Sequence, residues 1–373
     1  MKVMTVVGTR PEIIRLARVI DRLDRTEGIE HVLVHTGQNY DHSLNQVFFD
    51  DLGLRAPDHY LGVDTSSLGA VLGGVLTETE KVLVAERPDA FLVLGDTNSC
   101  IATVIAKRMR IPTYHMEAGN RCFDENVPEE TNRRLVDHVA DFNLAYTEHA
   151  RRNLLGEGLH PRRVLVTGSP MREVLEAFRD QIEASAALET LGLTSGEYFL
   201  VSAHREENVD SPERLRLLLD CLTAVRDRFG KRIVVSTHPR TRKRLEALDG
   251  APDLSGIDFM EPFGFHDYNK LQLEAACVLS DSGTISEESS ILGFPAITLR
   301  DSIERPEALD SGSIIMTGLN ADDVVRGVAL AIADGPVTSS HPAGYEIADT
   351  SNRVVRFIAS TAGRHAQWAG IRS

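Results

Sequence analysis

The sequence predicts an α/β protein built from two Rossmann-like, doubly wound parallel-sheet domains that face a cleft. The chain of 373 residues is too long for one ordinary hydrophobic core and suits two domains. Short apolar runs alternate with amphipathic helical stretches throughout, which is typical of parallel sheets covered on both faces. The alternation starts afresh after the GSP segment at residues 168–170, so we predict domains at 1–169 and 170–351.

Each domain contributes its own series of strands and helices. In the first, strands are predicted at 3–7, 32–35, 90–94, 112–115, 142–145 and 164–166, and helices at 13–23, 68–85, 99–108 and 130–139. In the second, strands are predicted at 198–202, 232–236, 257–260, 276–279 and 296–299, and helices at 212–228, 240–248, 268–275, 285–292 and 321–333. A helix at 352–368 is expected to pack back on the first domain. Ligands bind at the carboxyl ends of parallel strands, so residues that follow strands are the functional candidates.

The composition limits the partners. The formal net charge of −15 argues against nucleic acid and against an anionic membrane, because both require a basic surface. No apolar run reaches the roughly 20 residues of a membrane-spanning helix. The opening MKVMTVVG predicts a first strand and not a signal peptide. The four cysteines match no zinc pattern, so we expect a cytoplasmic protein with reduced thiols and no metal.

The motif GTRPE at residues 8–12 follows the first predicted strand. Gly8 allows a tight turn and Pro11 suits the start of a helix, whose free amides would face an anion. Arg10 beside them can grip a phosphate through two hydrogen bonds. A single glycine does not support a dinucleotide fingerprint. The alternative is an ordinary strand–turn–helix with a solvated arginine.

Three acidic residues of the first domain follow strands or begin a helix. Asp96 either faces the cleft or caps the next helix. Glu117 either pairs with Arg121 or acts as an acid or base. Glu129 either forms a capping box with Asn126, with i,i+4 ion pairs from Glu129 and Glu130 to the arginines at 133 and 134, or takes part in catalysis.

Polar residues also follow the strands of the second domain. His204 and Arg205 come after its first strand, and His238 and Arg240 after its second. These side chains could hold a diphosphate or move a proton, although a charged surface turn is the alternative. Tyr268, in an aromatic loop, either stacks on a nucleobase or belongs to the core.

The segment DSGTISEE at residues 281–288 leads from an apolar strand into a helix. The amides around Ser282 and Gly283 predict a nest for phosphate. Thr284 and Glu287 match a capping box, which accounts for Glu287 without a function. Glu288 is then left to accept hydrogen bonds from ribose hydroxyls.

Together these motifs resemble those of the non-hydrolysing UDP-N-acetylglucosamine 2-epimerase family over nearly the whole chain. The matching motifs are GTRPE (8–12), GDTNS (95–99), HMEAGNR (115–121), PEETNR (128–133), AHRE (203–206), DSG…EE (281–288) and RDSIERPE (300–307). The details are most similar to the branch of UDP-2-acetamido-2,6-dideoxy-L-talose 2-epimerases, which make UDP-N-acetyl-L-fucosamine for bacterial surface polysaccharides. Arg15 stands where the main branch has Lys, Thr284 where it has Gly, and the loop at 120–127 is shorter.

The resemblance implies a GT-B-like fold, a homodimer, a UDP-sugar substrate and no cofactor. It also implies acid/base roles for Asp96, Glu117, Glu129 and His204. Together with the residues chosen at strand ends, the candidate substrate-binding residues are Arg10, Arg15, Arg133, Arg205, His238, Arg240, Tyr268, Ser282, Gly283, Thr284, Glu288 and Arg305.

The chemistry of inversion at C2 explains why such groups are needed. The C2 proton is barely acidic because no carbonyl adjoins it, so its departure must be coupled to anti elimination of UDP from C1, which leaves a 2-acetamidoglycal. Two opposed acid/base groups move the proton, while cations and helix N-termini hold the leaving diphosphate. The alternatives are a UDP-N-acetylglucosamine/UDP-N-acetylmannosamine 2-epimerase, a GT-B glycosyltransferase, a hydrolysing epimerase and a UDP-sugar sensor without turnover.

Overall fold

The chain forms two compact units, each with its own parallel sheet. The computed structural model describes residues 1–37, 48–248, 250, 252–335 and 341–372. One unit comprises Met1–Arg121, Pro128–Ala177 and Ala343–Ser373, and the other comprises Cys122–Val127 and Phe178–Pro342. The predicted class, α/β with two doubly wound domains, is confirmed.

The first unit contains a seven-stranded parallel sheet among its described residues, in the order β3-β2-β1-β4-β5-β6-β7. Its strands are β1 Lys2–Val7, β2 Glu30–His35, β3 His59–Tyr60, β4 Ala90–Leu94, β5 Thr113–Met116, β6 Phe142–Ala145 and β7 Val164–Val166. Every residue of β4 and β5 is buried, as expected for central strands covered by helices on both faces. The order reverses beside β1, and such a switch point opens a crevice at the carboxyl edge of the sheet.

The first unit has several α-helices between residues 10 and 177 of its described part, and some of them begin at a side-chain cap. They are α1 Arg10–Arg25, α2 Leu68–Glu86, α3 Ala102–Arg108, α4 Glu129–Val139, α5 Glu148–Gly156 and α6 Met171–Ala177. The Ser67 side chain accepts a hydrogen bond from the Ala70 amide at the start of α2, and Thr147 does the same for α5. The predicted helix positions are therefore supported by local signals as well as by periodicity.

The second unit repeats the same topology with six strands among its described residues, in the order β10-β9-β8-β11-β12-β13. The strands are β8 Tyr198–Ser202, β9 Arg232–Ser236, β10 Ile257–Met260, β11 Cys277–Ser280, β12 Ala296–Thr298 and β13 Ile315–Met316. The helices are α7 Arg179–Glu183, α8 Ala187–Leu191, α9 Glu206–Val209, α10 Pro212–Phe229, α11 Pro239–Glu246, α12 Phe265–Glu274, α13 Ile285–Leu292, α14 Glu307–Asp310 and α15 Ala321–Asp334.

The C-terminal part of the chain returns to the first unit through α16 Thr350–Thr361 and α17 His365–Trp368. Residues 170–177 and 343–351, which the sequence analysis assigned to the second domain, group with the first unit. Hydrogen bonds explain this: the Ser169 amide donates to the Gly344 carbonyl at 2.9 Å, and the Ser351 amide donates to Glu173 at 2.8 Å. Among the described residues, no helix combines the length and apolarity that a bilayer crossing requires.

Candidate active site

Glu12 joins two loops at the carboxyl edge of the first sheet. Its side chain is 2% exposed, and Oε2 accepts hydrogen bonds from the amides of Gly8 and Thr9, both at 2.7 Å. Oε1 accepts from the hydroxyl of Thr97 at 3.0 Å and from that of Ser99. Burial raises the pKa of Glu12, although these hydrogen bonds oppose the rise. The carboxylate therefore holds the loop after β1 against the loop after β4.

This role of Glu12 was not predicted from the sequence, and the free amides after β1 were assigned to a phosphate. Two of those amides already bind Glu12, because Thr9 and Glu12 form a capping box. The spacing of a threonine and a glutamate three residues apart was the signal that could have revealed it. Arg10 is the first residue of α1, and its guanidinium lies 5.4 Å from the centroid of the Phe48 ring.

Glu117 adopts a backbone conformation that side chains rarely take. Its φ is 65°, and it lies directly after β5 with only 5% exposure. Such strain costs about 1–3 kcal/mol and is concentrated at functional sites. The carboxylate forms an ion pair with Arg15 from α1. The carboxylate lies against the backbone of Gly95, where an added Cβ would be in ordinary van der Waals contact with Oε2 of Glu117 at 3.5 Å. The structure thus brings Glu117 and Arg15 together beside the loop that carries Asp96.

The alternative pairing of Glu117 with Arg121 is wrong. Arg121 donates instead to Asp137 at 2.7 Å and forms a two-pronged pair with Glu157 at 2.8 and 2.7 Å. Because two carboxylates accept hydrogen bonds from its N–H groups, the Arg121 guanidinium can be buried with a small loss of solvation free energy. Arg121 consequently supports the turn that presents Glu117 and leaves the Glu117 carboxylate to Arg15.

His115 is buried beneath the same turn and has an acceptor at each ring nitrogen. Nδ1 lies 2.9 Å from Oδ1 of Asp137, and Nε2 lies 2.7 Å from the Gly95 carbonyl. Since a carbonyl and a carboxylate both accept, the doubly protonated imidazolium satisfies both contacts. Burial by itself would lower the pKa of His115, but the hydrogen bond and charge of Asp137 outweigh it and raise the pKa. Neither residue was among the sequence candidates.

Asp96 is held by a residue of α4. Nε of Arg133 donates to Oδ2 of Asp96 at 3.0 Å, and Asn132 donates to the Asp96 carbonyl at the same distance. Arg133 also contacts Glu130 at 2.9 Å. Arg133, a candidate substrate-binding residue, therefore binds the carboxylate of Asp96, a candidate acid/base residue.

Glu129 is the first residue of α4 and is half-buried. The predicted capping box with Asn126 is wrong: the helix is capped by Pro128, and Asn126 donates to Asp124 from its amide at 2.9 Å and from its side chain at 2.8 Å. The predicted i,i+4 pair between Glu130 and Arg134 is present at 3.1 Å. Glu129 thus stays a candidate acid or base, one helical turn before Arg133.

Gly119 ends the turn that carries Glu117, and we expect Gly119→Ala to destabilise the first unit. Its φ is 86°, and an added Cβ would lie 2.3 Å from the Ala150 carbonyl oxygen, which belongs to α5 and cannot yield easily. We expect the free energy of unfolding to fall by about 2 kcal/mol or more, measured by urea denaturation.

Gly158 provides the matched control for this substitution. It also has a left-handed φ, +90°, but nothing lies within 4 Å of an added Cβ. Gly158→Ala should therefore show only the conformational cost of about 1–2 kcal/mol. Equal losses in the two variants would show that the close approach at Gly119 is unimportant.

In the second unit, Asp281 organises the loop after β8. It is fully buried and accepts hydrogen bonds from the amides of His204 and Arg205, both at 3.0 Å, and from Asn208 at 3.1 Å. Nδ1 of His204 lies 3.5 Å from Oδ1 of Asp281, while the ring itself is 40% exposed. An exposed imidazole oriented by a buried carboxylate is suited to accept or donate a proton. Asp281 belongs to the DSGTISEE motif, but no role was predicted for it from the sequence.

His238 and Arg240 follow the neighbouring strand β9. His238 caps α11, because its Nδ1 accepts from the Arg240 amide at 3.2 Å, and its ring centroid lies 6.0 Å from that of His204. Arg240 pairs with Glu206 at 2.6 Å on the surface. His238 therefore lies beside His204, whereas the Arg240 guanidinium is directed to a surface carboxylate.

A buried arginine, Arg305, binds the backbone of the turn after β11. Nη1 of Arg305 donates to the Gly283 carbonyl at 2.8 Å, and an added Cβ on Gly283 would lie 2.6 Å from that nitrogen. The Ser282 hydroxyl bonds to that of Thr284 at 2.9 Å. Arg305 is 1% exposed, so in this structure it positions the turn rather than presenting a cation to solvent.

The capping box predicted from Thr284 and Glu287 is wrong. Thr284 has φ −80° and ψ −16°, a helical conformation, whereas a side-chain cap requires an extended residue. Glu287 is fully buried, and its Oε2 lies 3.1 Å from Nε of Arg305. The long-range ion pair therefore accounts for Glu287.

Glu304 lies between three arginines that surround this turn. Its carboxylate is 2.9 Å from Arg300, 3.3 Å from Arg205 and 3.6 Å from Arg305. The side chain of Arg205 is 19% exposed and those of the other two are 3% and 1% exposed. Arg205 is thus the arginine of this group that is placed to reach a ligand.

Tyr268 and Glu288 lie close to each other at the same edge of the second sheet. Gln272 from α12 donates to Oε2 of Glu288 at 2.7 Å, which orients the carboxylate. Burial raises the pKa of Tyr268, and the negative charge of Glu288 adds to the rise. Tyr268 therefore stays a protonated, neutral ring at physiological pH, as a stacking or donor residue requires.

Comparison with known proteins points to one family. Residues 21–359 match the sequence model of the family described as UDP-N-acetylglucosamine 2-epimerase. A UDP-2,3-diacetamido-2,3-dideoxy-D-glucuronate 2-epimerase of Pseudomonas aeruginosa is 31% identical over 363 residues, which cover 96% of this chain and 99% of that protein.

Solved structures show the same fold along the whole chain. The UDP-N-acetylglucosamine 2-epimerase of Rickettsia bellii matches with a TM-score of 0.91 and 44% identity, covering 99% of both chains. The Methanocaldococcus jannaschii enzyme in complex with UDP-GlcNAc and UDP matches with a TM-score of 0.90 and 34% identity, covering 96% of this chain and 100% of that one. Both similarities extend over both units, so they agree with the predicted GT-B-like class.

Proposed function

The chain belongs to the UDP-N-acetylglucosamine 2-epimerase family and is a UDP-sugar 2-epimerase, and we propose that its substrate is UDP-2-acetamido-2,6-dideoxy-L-talose, which it converts to UDP-N-acetyl-L-fucosamine. The reaction would proceed by anti elimination of UDP from C1 and the proton from C2, followed by delivery of a proton to the opposite face of C2 and re-addition of UDP at C1. Relatives of this chain carry names with two different substrates, so family membership alone leaves the sugar open.

The observation that carries the catalytic proposal is Glu117, buried and strained at the end of β5 and paired with Arg15. A carboxylate held in this way has a fixed position, which proton transfer from carbon requires. We assign Glu117 and Glu129 as the two groups that remove and return the C2 proton, with Asp96 held by Arg133 as the third acidic group. His204 is assigned to proton transfer at the leaving diphosphate.

The second unit supplies the groups suited to hold UDP. The turn at Ser282–Gly283 is held by the buried Arg305, which donates to the Gly283 carbonyl, and Arg205 adds an accessible cation. Glu288, oriented by Gln272, is suited to accept from the ribose hydroxyls, and Tyr268 to stack on the uracil ring. We assign the diphosphate to this turn and to Arg205.

The substrate proposal rests on positions near the proposed acid/base groups. Arg15, where the main branch of the family has Lys, binds Glu117 directly, so a change of cation alters the environment of the acid/base residue itself. The short segment at 120–127 follows Glu117 in the chain and would leave a differently shaped sugar pocket. Both features favour a sugar other than UDP-N-acetylglucosamine.

Incubation in heavy water with UDP-2-acetamido-2,6-dideoxy-L-talose should yield UDP-N-acetyl-L-fucosamine with one deuterium at C2. The deuterium is expected because the abstracted proton exchanges with solvent before it is returned. Proton NMR of the same sample reports both the new coupling at C1 and the loss of the C2 signal.

A parallel incubation with UDP-N-acetylglucosamine tests the second candidate, which the names of the similar solved structures favour. Faster turnover of UDP-N-acetylglucosamine would make it the substrate in place of the L-talose sugar. The epimerase activity itself would be unaffected by that result. Inversion without deuterium at C2 would contradict the elimination route, and accumulation of free UDP with a reducing sugar would indicate hydrolysis.

A further inference from the structure

We propose that the first unit has a second ligand site, which binds a compact phosphate-bearing anion at the amino-terminal edge of its sheet. The site is a cavity of about 440 Å³ whose lining includes Lys107, Asp141, Arg162, Arg163, His365 and Trp368. Cavities of roughly this size bind small molecules. We call it the edge pocket.

The edge pocket is distinct from the candidate active site of the same unit. Asp141 and Phe142 lie at the start of β6, and Arg163 directly precedes β7. Glu117, in contrast, directly follows strand β5, and Asp96 lies two residues after the end of β4. In a parallel sheet the two ends of the strands lie on opposite edges, so a ligand in one place does not touch the other.

The charges of the edge pocket favour an anion. Three permanent cations, Lys107, Arg162 and Arg163, line it together with one carboxylate, Asp141. This excess is unusual in a chain whose formal net charge is −15, where a chance surface hollow is expected to be acidic. Since Arg presents a fork that matches phosphate oxygens, a phosphate is the favoured occupant.

The single carboxylate is already neutralised by other groups. Lys107 pairs with Asp141, and Nε2 of His365 lies 2.8 Å from Oδ1 of the same residue. Arg163 donates from Nε to the Asp141 carbonyl at 2.9 Å and from Nη2 to the Ala140 carbonyl at 2.8 Å. These carbonyls orient the Arg163 guanidinium, whose Nη2 also lies 3.8 Å from Oδ1 of Asp141, a carboxylate already shared with Lys107 and His365.

Arg162 is held against the indole of Trp368. Its Cζ lies 5.3 Å from the ring centroid, and no carboxylate pairs with it in the described part of the chain. Such stacking fixes a guanidinium while leaving its N–H groups able to bind an oxyanion. The indole edge is itself anchored on Phe142, at a centroid distance of 6.4 Å. Arg162 and Arg163 thus form a preorganised pair of phosphate donors.

Trp368 is the only tryptophan in the sequence, so its fluorescence reports on the edge pocket directly. The full-length protein is titrated with inorganic pyrophosphate and, separately, with UMP, with sodium chloride of matched ionic strength as a control. We expect a saturable change in tryptophan emission with pyrophosphate and none with sodium chloride. Tighter binding of UMP would identify a nucleotide as the source of the phosphate, and equal or weaker binding would identify the phosphate group alone.

Arg162→Gln is the decisive variant because Arg162 is exposed and is remote from the candidate active site. Removing one charge-assisted phosphate contact should weaken pyrophosphate binding about tenfold or more, while turnover without added anion stays at the wild-type level. Arg152→Gln, an exposed arginine of α5 outside the lining, should bind like wild type. Absence of a saturable signal, or an unchanged affinity in Arg162→Gln, would overturn the proposal.

Discussion

Glu117→Gln should lower the turnover of the UDP-sugar at least about 100-fold while the affinity for UDP changes by less than about threefold. Glutamine preserves the shape and one hydrogen-bond acceptor of the side chain, but it cannot exchange a proton with carbon. The UDP groups assigned above lie on the second unit, so the substitution leaves them unchanged. Turnover is measured by proton NMR of C2 inversion, and UDP binding by titration calorimetry.

A structural role for Glu117 would give a different pattern. The substitution also weakens the ion pair with Arg15, so the variant must be compared with Arg15→Gln, in which the carboxylate remains but the cation is gone. If Glu117 acted only by holding Arg15, both variants would lose the same activity and both would retain C2 deuterium exchange. We expect Glu117→Gln to lose the exchange itself. Glu148→Gln, with its side chain 55% exposed on α5, is the control that should behave as wild type.

The doubly wound architecture could be predicted because its signals are local. Strands of four or more buried residues, such as β4 and β11, stand out as apolar runs, and their helices carry a 3.6-residue period. The edge strands β3 and β13 contain two residues each and carry no such pattern, so they were missed. The unit boundaries also depended on contacts invisible in sequence, such as the hydrogen bond from Ser351 to Glu173.

The side-chain contacts of the candidate site were predicted less well than the fold. Motif residues were predicted at strand ends, where the structure places them, but their partners were chosen among near neighbours. Glu117 pairs with Arg15, 102 residues away, and not with Arg121. Glu287 pairs with Arg305 and not with a local cap. Capping rules consider only neighbours in the sequence, whereas these two buried carboxylates are compensated by arginines that the fold brings from distant positions.

Asp137→Asn should lower the free energy of unfolding by about 3–5 kcal/mol, because it removes the charge that compensates two buried cations. Asp137 is fully buried and contacts Nδ1 of His115 at 2.9 Å, the Gly119 amide at 3.1 Å and Nη1 of Arg121 at 2.7 Å. The asparagine side chain keeps only one oxygen to accept hydrogen bonds from the three donors His115, Gly119 and Arg121. Urea denaturation measures the loss, and Asp349→Asn, with its side chain 54% exposed, should cost less than about 0.5 kcal/mol.

The dependence of this loss on pH distinguishes the charge from the hydrogen bonds. In the wild type the pKa of His115 is raised above its unfolded value of about 6.5, so its stabilisation is fully present below that pH and is lost as the pH rises through the folded pKa. Without the carboxylate, burial lowers the pKa instead, and protonation at acidic pH opposes folding. The difference in unfolding free energy between wild type and Asp137→Asn should therefore be largest near pH 5.5 and shrink toward pH 9. A difference that is constant across this range would mean that His115 is neutral in the folded protein and that Asp137 acts only as a hydrogen-bond acceptor.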